Sequence, residues 1–69
     1  MTRPAALLKN GTTLIETRIV GDCAIVLADC GAARYHRYAT WKMNKDGETF
    51  WGHYFHTIVE AAQDFAERR

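Results

Sequence analysis

The sequence predicts an α+β fold: a four-stranded antiparallel sheet (meander) followed by one C-terminal helix packed on one face. Runs rich in β-branched and aromatic residues recur along the chain, and pairs of turn-forming residues that contain glycine separate them. After the last run, the apolar residues change to helical spacing behind a capping signal. With 69 residues the chain is near the lower limit for one core, so we expect a single domain that forms a homodimer or higher oligomer.

The first two predicted strands form a hairpin. Residues 12–20, TTLIETRIV, are rich in β-branched residues, which favour strands. Residues 23–30, CAIVLADC, are apolar at nearly every position, as in a strand that is covered on both faces. Gly21 and Asp22 between them match a two-residue type II′ turn.

The chain before this hairpin is predicted to be a flexible N-terminal arm. It comprises residues 1–11 and ends in the turn signal Asn10-Gly11, which leaves residues 12–69 as the single ββββα domain. No apolar run approaches the roughly 20 residues of a membrane span. The apolar stretch near the start is too short for a signal peptide. We therefore expect a cytoplasmic protein without a membrane partner.

A second hairpin follows a short loop. Residues 34–43, RYHRYATWKM, and residues 48–55, ETFWGHYF, are dense in aromatic residues and predict two further strands. The connection, residues 44–47, contains Asp46 and Gly47, a pair that supplies the positive-φ position of a hairpin turn. If all four residues of this connection form the loop, Met43 pairs with Glu48, Trp41 with Phe50, Ala39 with Gly52 and Arg37 with Tyr54.

The C-terminal residues predict a helix. Thr57 and Glu60 have the spacing of a capping box, with Thr57 at the N-cap. An apolar stripe with helical spacing follows, formed by Ile58, Ala61, Ala62 and Phe65. Asp64 and Glu67 are predicted to face away from it.

Turn chemistry also predicts which side chains share a face of the sheet. In the first hairpin, Val20 lies opposite Cys23, so one face carries small apolar residues that allow a close approach by the helix: Ala24, Val26, Ala28 and Cys30. In the second hairpin, Ala39 beside Gly52 leaves a hollow that also suits a helix. We therefore expect the helix to cover this face, together with Trp41, Phe50 and Tyr54.

The opposite face of the second hairpin is then aromatic and basic. The candidate binding residues on it are Arg34, His36, Tyr38, Lys42, Trp51 and His53. Rings interleaved with cations are typical of surfaces that bind single-stranded nucleic acid, because bases stack on the rings and cations lie near phosphates. The same surface is equally suited to burial against a second copy in a dimer.

Catalysis and metal binding are not predicted. The three histidines and two cysteines lack the paired spacing of a zinc site, and the chain has no serine and no glycine-rich phosphate loop. We expect no catalytic residues, no metal and no cofactor. A small metal-dependent DNA nickase remains the weakest alternative, with Glu16, Asp22 and Asp29 as its only loose carboxylate candidates.

About half of the chain resembles small uncharacterised proteins of phages and mobile elements. The pattern consists of YATW from Tyr38, Asp46-Gly47, FWGHYF from Phe50, and a helix of the form EAxxDFxxR from Glu60. The resemblance implies an accessory protein, of the anti-defence type that includes anti-CRISPR proteins or of a DNA-binding type. The layout is also similar to the Whirly and transcriptional-coactivator fold, whose members bind single-stranded DNA on their sheets.

Together these observations predict an accessory protein that binds nucleic acid or a nucleoprotein complex through an aromatic and basic sheet face. The net charge of only +1 argues against binding of a polyanion through bulk charge and leaves room for a local patch. The alternative from another class is a protein-binding inhibitor that makes no contact with nucleic acid.

Overall fold

A computed structural model describes residues 6–69 of the chain. In order, its elements are β1 (Thr13–Val20), β2 (Cys23–Asp29), β3 (Tyr38–Met43), β4 (Thr49–Phe55) and α1 (Ile58–Glu67). The strands form one antiparallel sheet in the order β1-β2-β3-β4, and α1 packs against β2, β3 and β4. The predicted α+β fold class is therefore confirmed. Within residues 6–69, no helix has the length and apolar character that a membrane crossing requires.

The first hairpin has the predicted register. Val20 pairs with Cys23, and Gly21 has a φ of 62°, as the first position of a type II′ turn requires. The pairing continues with Arg18 opposite Ile25 and Glu16 opposite Leu27. A bulge at Ile15 then shifts the register by one residue before Leu14.

The second hairpin has a different register from the predicted one, because its loop is one residue shorter. The Asn44 side chain accepts hydrogen bonds from the backbone N–H groups of Asp46 and Glu48, each at 3.0 Å. The Asn44 N–H donates to the Glu48 carbonyl, also at 3.0 Å, so these two residues pair. The loop is therefore residues 45–47, and Met43 pairs with Thr49 instead of Glu48.

A bulge at Trp51 changes the register again. Lys42 pairs with Phe50, whereas Thr40 pairs with His53, so between these two pairs β4 has one residue more than β3. Trp51 has a φ of 53°, a left-handed conformation that is uncommon for a bulky residue. The predicted pairs of Trp41 with Phe50 and Ala39 with Gly52 are wrong for these two reasons. Phe50 consequently lies opposite Lys42.

The helix covers the face opposite to the predicted one. We call the covered side the helix face; its buried cluster comprises Ile25, Leu27, Ala61 and Phe65. The other side is the open face, where the buried cluster comprises Leu8, Val26, Ala28, Ala39 and Trp41. The expectation that the alanine-rich face, with Trp41 and Tyr54, lies under the helix is thus wrong.

Part of the predicted N-terminal arm packs on the open face. Leu8 is buried in the cluster, and its N–H donates to the Thr12 carbonyl at 2.9 Å. Leu14 N–H donates to the Ala6 carbonyl at 2.8 Å, which places this segment beside the start of β1. The structure therefore differs from a free arm over residues 6–11, while residues 1–5 lie outside the described part.

The helix begins at the predicted cap, but its buried stripe is narrow. The Thr57 hydroxyl accepts from the Glu60 N–H at 3.2 Å and donates to the Glu60 carboxylate at 2.9 Å. Of the predicted stripe, only Ala61 and Phe65 are buried, whereas Ile58 and Ala62 are exposed. Apolar burial alone therefore gives this helix little stabilisation.

A group of polar contacts fastens the helix to the sheet. Asp64, which was predicted to face away, points at the sheet and accepts from the fully buried Thr40 hydroxyl at 2.5 Å and from His53 Nδ1 at 3.0 Å. Arg68 donates to the Thr40 carbonyl at 3.0 Å. Arg18 donates to the Phe65 carbonyl at 2.8 Å and to the Arg68 carbonyl, at the end of the helix. We call Arg18, Thr40, His53, Asp64 and Arg68 the polar clamp.

Hydrogen bonding keeps the clamp carboxylate ionised. Burial raises the pKa of Asp64, but the hydrogen bonds from Thr40 and His53, with the electrostatic effects of His53 and Arg68, outweigh burial. The pKa of Asp64 therefore lies below its ordinary value, and a negative charge holds this side of the helix against the sheet.

Replacing Thr40 with valine tests the clamp. Thr40→Val keeps the shape but removes the donor to a partly buried carboxylate, so we expect the free energy of unfolding to fall by about 1–3 kcal/mol. The isosteric control Thr17→Val, at an exposed β1 position, should change it by less than about 0.5 kcal/mol. Urea denaturation measures both. Equal losses in the two variants would contradict a special role for the Thr40 hydroxyl.

Candidate functional site

A cleft of about 430 Å³ lies on the open face. It lies where the N-terminal segment, the β2–β3 loop and β4 meet. We call it the aromatic cleft; its lining residues are Asn10, Thr12, Cys30, Arg34, Tyr35, His36, Trp41 and Tyr54. Three of these eight carry aromatic rings of tyrosine or tryptophan, so the cleft presents flat apolar surfaces beside polar groups.

Asp29 positions the loop that forms one wall. Its carboxylate accepts from Arg37 Nε at 3.1 Å and from Arg37 Nη2 at 3.0 Å, a two-point contact across the base of the loop. It also accepts from the Gly31 N–H at 2.8 Å, where Gly31 turns the chain with a φ of 109°. These contacts lower the pKa of Asp29, the Arg37 hydrogen bond most strongly and the Gly31 N–H next. The loop is therefore fastened at both ends by one carboxylate.

A cluster of three rings supports the outer part of the loop. The Tyr35 ring lies edge-on to His56, with centroids 4.5 Å apart, and edge-on to His36 at 4.8 Å. The two histidine rings stack on each other at 4.5 Å. His56 Nδ1 lies 2.8 Å from the Tyr35 carbonyl oxygen. Tyr35 is 81% exposed, so the cluster presents its ring to solvent.

Trp41 and Tyr54 form the floor. Trp41 is only 8% exposed, whereas Tyr54 is 54% exposed, and their rings are nearly perpendicular with centroids 6.1 Å apart. Gly52 makes room for this pair, because a Cβ there would lie 2.5 Å from Trp41 Nε1 and 2.7 Å from the Tyr54 hydroxyl. The β4 glycine in the FWGHYF run therefore shapes the cleft rather than a helix contact.

The charges of the lining favour an anionic ligand. Arg34 and His36 are exposed on the loop, and none of the lining residues in the described chain carries a carboxylate. The nearby Asp29 is engaged by Arg37. Burial raises the pKa of the Cys30 thiol, and the charge of Asp29 raises it further, so this thiol contributes no negative charge near neutral pH. A planar group with a negative substituent fits this combination of rings, the Arg34 guanidinium and the His36 imidazole.

The structure separates the six binding residues that the sequence predicts. Arg34 and His36 line the aromatic cleft, in the loop before β3 rather than within a strand. Tyr38 packs against the buried cluster of the helix face, and His53 is bonded to Asp64 in the polar clamp. The expectation of one open face that holds all six is thus wrong, because the register of the second hairpin and the face covered by α1 both differ from the prediction.

The other two predicted residues form a separate pair. The Lys42 ammonium lies 5.4 Å from the centre of the Trp51 ring, a cation–π distance. The Trp51 carbonyl accepts a hydrogen bond from Arg68, so this pair lies beside the C-terminal end of α1. It is not part of the lining of the cleft.

Tyr35, Trp41 and Tyr54 are cleft residues that sequence reasoning does not identify as a site. Trp41 and Tyr54 are predicted to be core because the expected register places them under the helix. Tyr35 lies in a segment with the composition of a strand. The available signal was the alternation of basic and aromatic residues in Arg34-Tyr35-His36 after a glycine, which is also compatible with a loop that carries binding groups.

Comparisons with protein-family models, with curated proteins and with solved structures find no match for this chain. Within residues 6–69, no group of three or more histidine, cysteine, aspartate or glutamate side chains has an arrangement that could hold a metal ion.

The pH dependence of stability tests the role of Asp29. Its pKa is lowered in the folded protein, so its contribution is present above the unfolded value of about 3.9 and is lost as the pH falls through the folded pKa. The free energy of unfolding should therefore fall less in Asp29→Asn than in the unmodified protein between about pH 5 and about pH 2.5.

Asp46→Asn, which removes the same charge from an exposed turn, is the control and should follow the unmodified protein. Urea denaturation at a series of pH values measures both differences. An unchanged pH dependence in Asp29→Asn would contradict the assignment of this carboxylate as the fastening of the loop.

Proposed function

We propose that this protein binds single-stranded nucleic acid, free or within a nucleoprotein complex, at the aromatic cleft. The observation that carries the proposal is the lining of the cleft, which combines two exposed tyrosine rings with Arg34 and His36 and no carboxylate. The rings offer stacking surfaces to any base, and the Arg34 guanidinium lies within the same concave surface. Arg34 and His36 remain from the predicted site, and Tyr35, Trp41 and Tyr54 join them.

An unpaired base is the group that these rings suit best. In a duplex both faces of a base are covered by its neighbours, so the rings would have no free face to stack on. A base in a single strand can turn into the cleft, where each stacking contact contributes about 1–3 kcal/mol. The guanidinium of Arg34 belongs to the same lining and is available to an adjoining phosphate. We therefore expect a preference for single strands.

The low net charge limits the electrostatic contribution. With nine basic and eight acidic residues, the chain has no general attraction for a polyanion, so the contacts must come from the few cations near the cleft. Neutralising one or two phosphates of a single strand gives a slope of about −1 for log affinity against log salt concentration. Binding of this kind depends on stacking more than on charge.

We also propose that the chain acts as an accessory protein of a phage or mobile element, of the anti-defence type, and not as an enzyme. This part rests on the resemblance of the FWGHYF run and the EAxxDFxxR helix to such proteins, and on no feature of the cleft. Binding to exposed single strands would suit a protein that meets the nucleic acid of a defence complex. Binding at the aromatic cleft does not depend on this biological setting and is tested separately.

Alanine variants test the site. Tyr35→Ala removes an exposed stacking surface, so we expect about a tenfold loss of affinity for a short fluorescent single-stranded oligonucleotide, measured by anisotropy. Arg34→Ala should weaken binding and reduce the salt slope by about 0.7. Lys42→Ala and Trp51→Ala, on the separate pair, are matched controls and should bind normally.

Other outcomes contradict the proposal in distinct ways. Loss of binding only in the two control variants would move the site to the Lys42–Trp51 pair. Equal affinity for duplex and single strand would contradict stacking of an unpaired base. No binding at low salt would favour a protein target. Cleavage of supercoiled DNA that requires magnesium would favour a nickase.

A further inference from the structure

The two edges of the sheet differ in how well they are protected. At the β4 edge, the bulge at Trp51 interrupts the strand, and Arg68 donates a hydrogen bond to the Trp51 carbonyl. At the β1 edge, Ala6 and Leu7 cover only the start of the strand. Among residues 6–69, no strand pairs with the outer side of residues 16–20. Such an unprotected edge is a template for another strand.

In residues 16–20 of β1, alternate residues direct their backbone N–H and C=O groups away from β2. Val20 and Cys23 flank a two-residue turn and therefore form a hydrogen-bonded pair, and such pairs alternate along an antiparallel ladder. Arg18 consequently bonds toward β2. The N–H and C=O groups of Thr17 and Ile19 face away from β2, toward the free edge. Ile19 is also 76% exposed, which is unusual for a large apolar residue on an unpaired edge.

The residues around Thr17 are complementary to themselves in the antiparallel direction. When two copies of β1 pair with Thr17 opposite Thr17, each Glu16 lies opposite Arg18 of the other copy. Opposite charges in such cross-strand pairs are favourable, and no like charges meet. Ile19 of each copy then lies beside Ile15 of the other, at the β1 bulge, and both side chains are exposed. Shifting the centre to Arg18 would instead place two arginines together.

We propose that a second copy of this chain binds along residues 15–19 of β1, with Thr17 on the two-fold axis. The reciprocal hydrogen bonds of the two Thr17 backbones and the covered Ile19 side chains hold the interface. Each Glu16 adds a negative charge opposite Arg18 of the other copy, whose Nη2 stays on the helix carbonyls. The two four-stranded sheets become one continuous sheet. Because residues opposite each other in a ladder point to the same side, both helices lie on one face and both aromatic clefts on the other.

This arrangement places two clefts on one continuous surface, so a single strand long enough to reach both would bind with increased apparent affinity. The dimer itself needs no ligand. The dimer therefore depends on the β1 edge alone, and a protein that fails to bind nucleic acid would still be expected to dimerise.

Sedimentation velocity of the full chain tests the interface. We expect a dimer at about 100 μM protein, and Ile19→Lys should raise the dissociation constant at least about tenfold by placing a charge at the pairing edge. Val59→Lys is the matched control, because Val59 is 73% exposed on α1, away from β1, and the change in charge is the same. Val59→Lys should remain dimeric. A monomeric unmodified protein, or a fully dimeric Ile19→Lys protein, would overturn the proposal.

Amide exchange in the unmodified protein is a second test that no folding defect of a variant can obscure. The Thr17 N–H faces solvent in a monomer and is hydrogen-bonded in the proposed dimer. Its exchange should therefore slow as the protein concentration is raised, whereas the exposed helix-start amide of Val59 should not change. A Thr17 exchange rate that is fast and independent of concentration would contradict the interface even if some other dimer forms.

Discussion

The hydrogen bond between the buried Thr40 hydroxyl and Asp64 is the contact on which the arrangement of this small domain depends. The helix buries only Ala61 and Phe65, so apolar contacts alone do not specify which face of the sheet it covers. Asp64 and Arg68 reach β3 through Thr40, while Arg18 of β1 binds the carbonyls at the end of the helix. These directional contacts exist only on the helix face, and they leave the open face free.

Because the helix does not cover the open face, the aromatic cleft can form there. Leu8 covers its centre, and the β2–β3 loop, fastened by Asp29, rises beside Trp41 and Tyr54. If the helix lay on this side, it would occupy the space of the cleft. The clamp therefore affects the cleft indirectly, because it holds the helix on the side of the sheet away from the aromatic floor. The same division puts the edge of β1 in a position where pairing of two copies would join the two open faces.

Much of the fold is predictable from local chemistry, and the failures have identifiable physical causes. Gly21, Thr57 and the β-branched runs act within a few residues, so the first hairpin, the four strands and the helix start are found. The loop after Met43 is ambiguous, because its turn residues suit loops of three or four residues and only the Asn44 side-chain bonds decide between them. The Trp51 bulge and the contacts of Asp64 depend on distant residues. As cleft residues, Arg34 and His36 are among the predicted binding residues, although they were expected on a strand, whereas Tyr35 and Tyr54 are not among them.

The two tryptophans lie at different sites and can be observed separately. Trp41 forms the floor of the cleft, and Trp51 lies beside Lys42 near the end of the helix. The most direct measurement follows their two indole N–H resonances by heteronuclear NMR while a short single-stranded oligonucleotide is added. We expect the Trp41 resonance to shift progressively and the Trp51 resonance to stay in place. A shift of Trp51 alone, or no shift of either at saturating oligonucleotide, would contradict it.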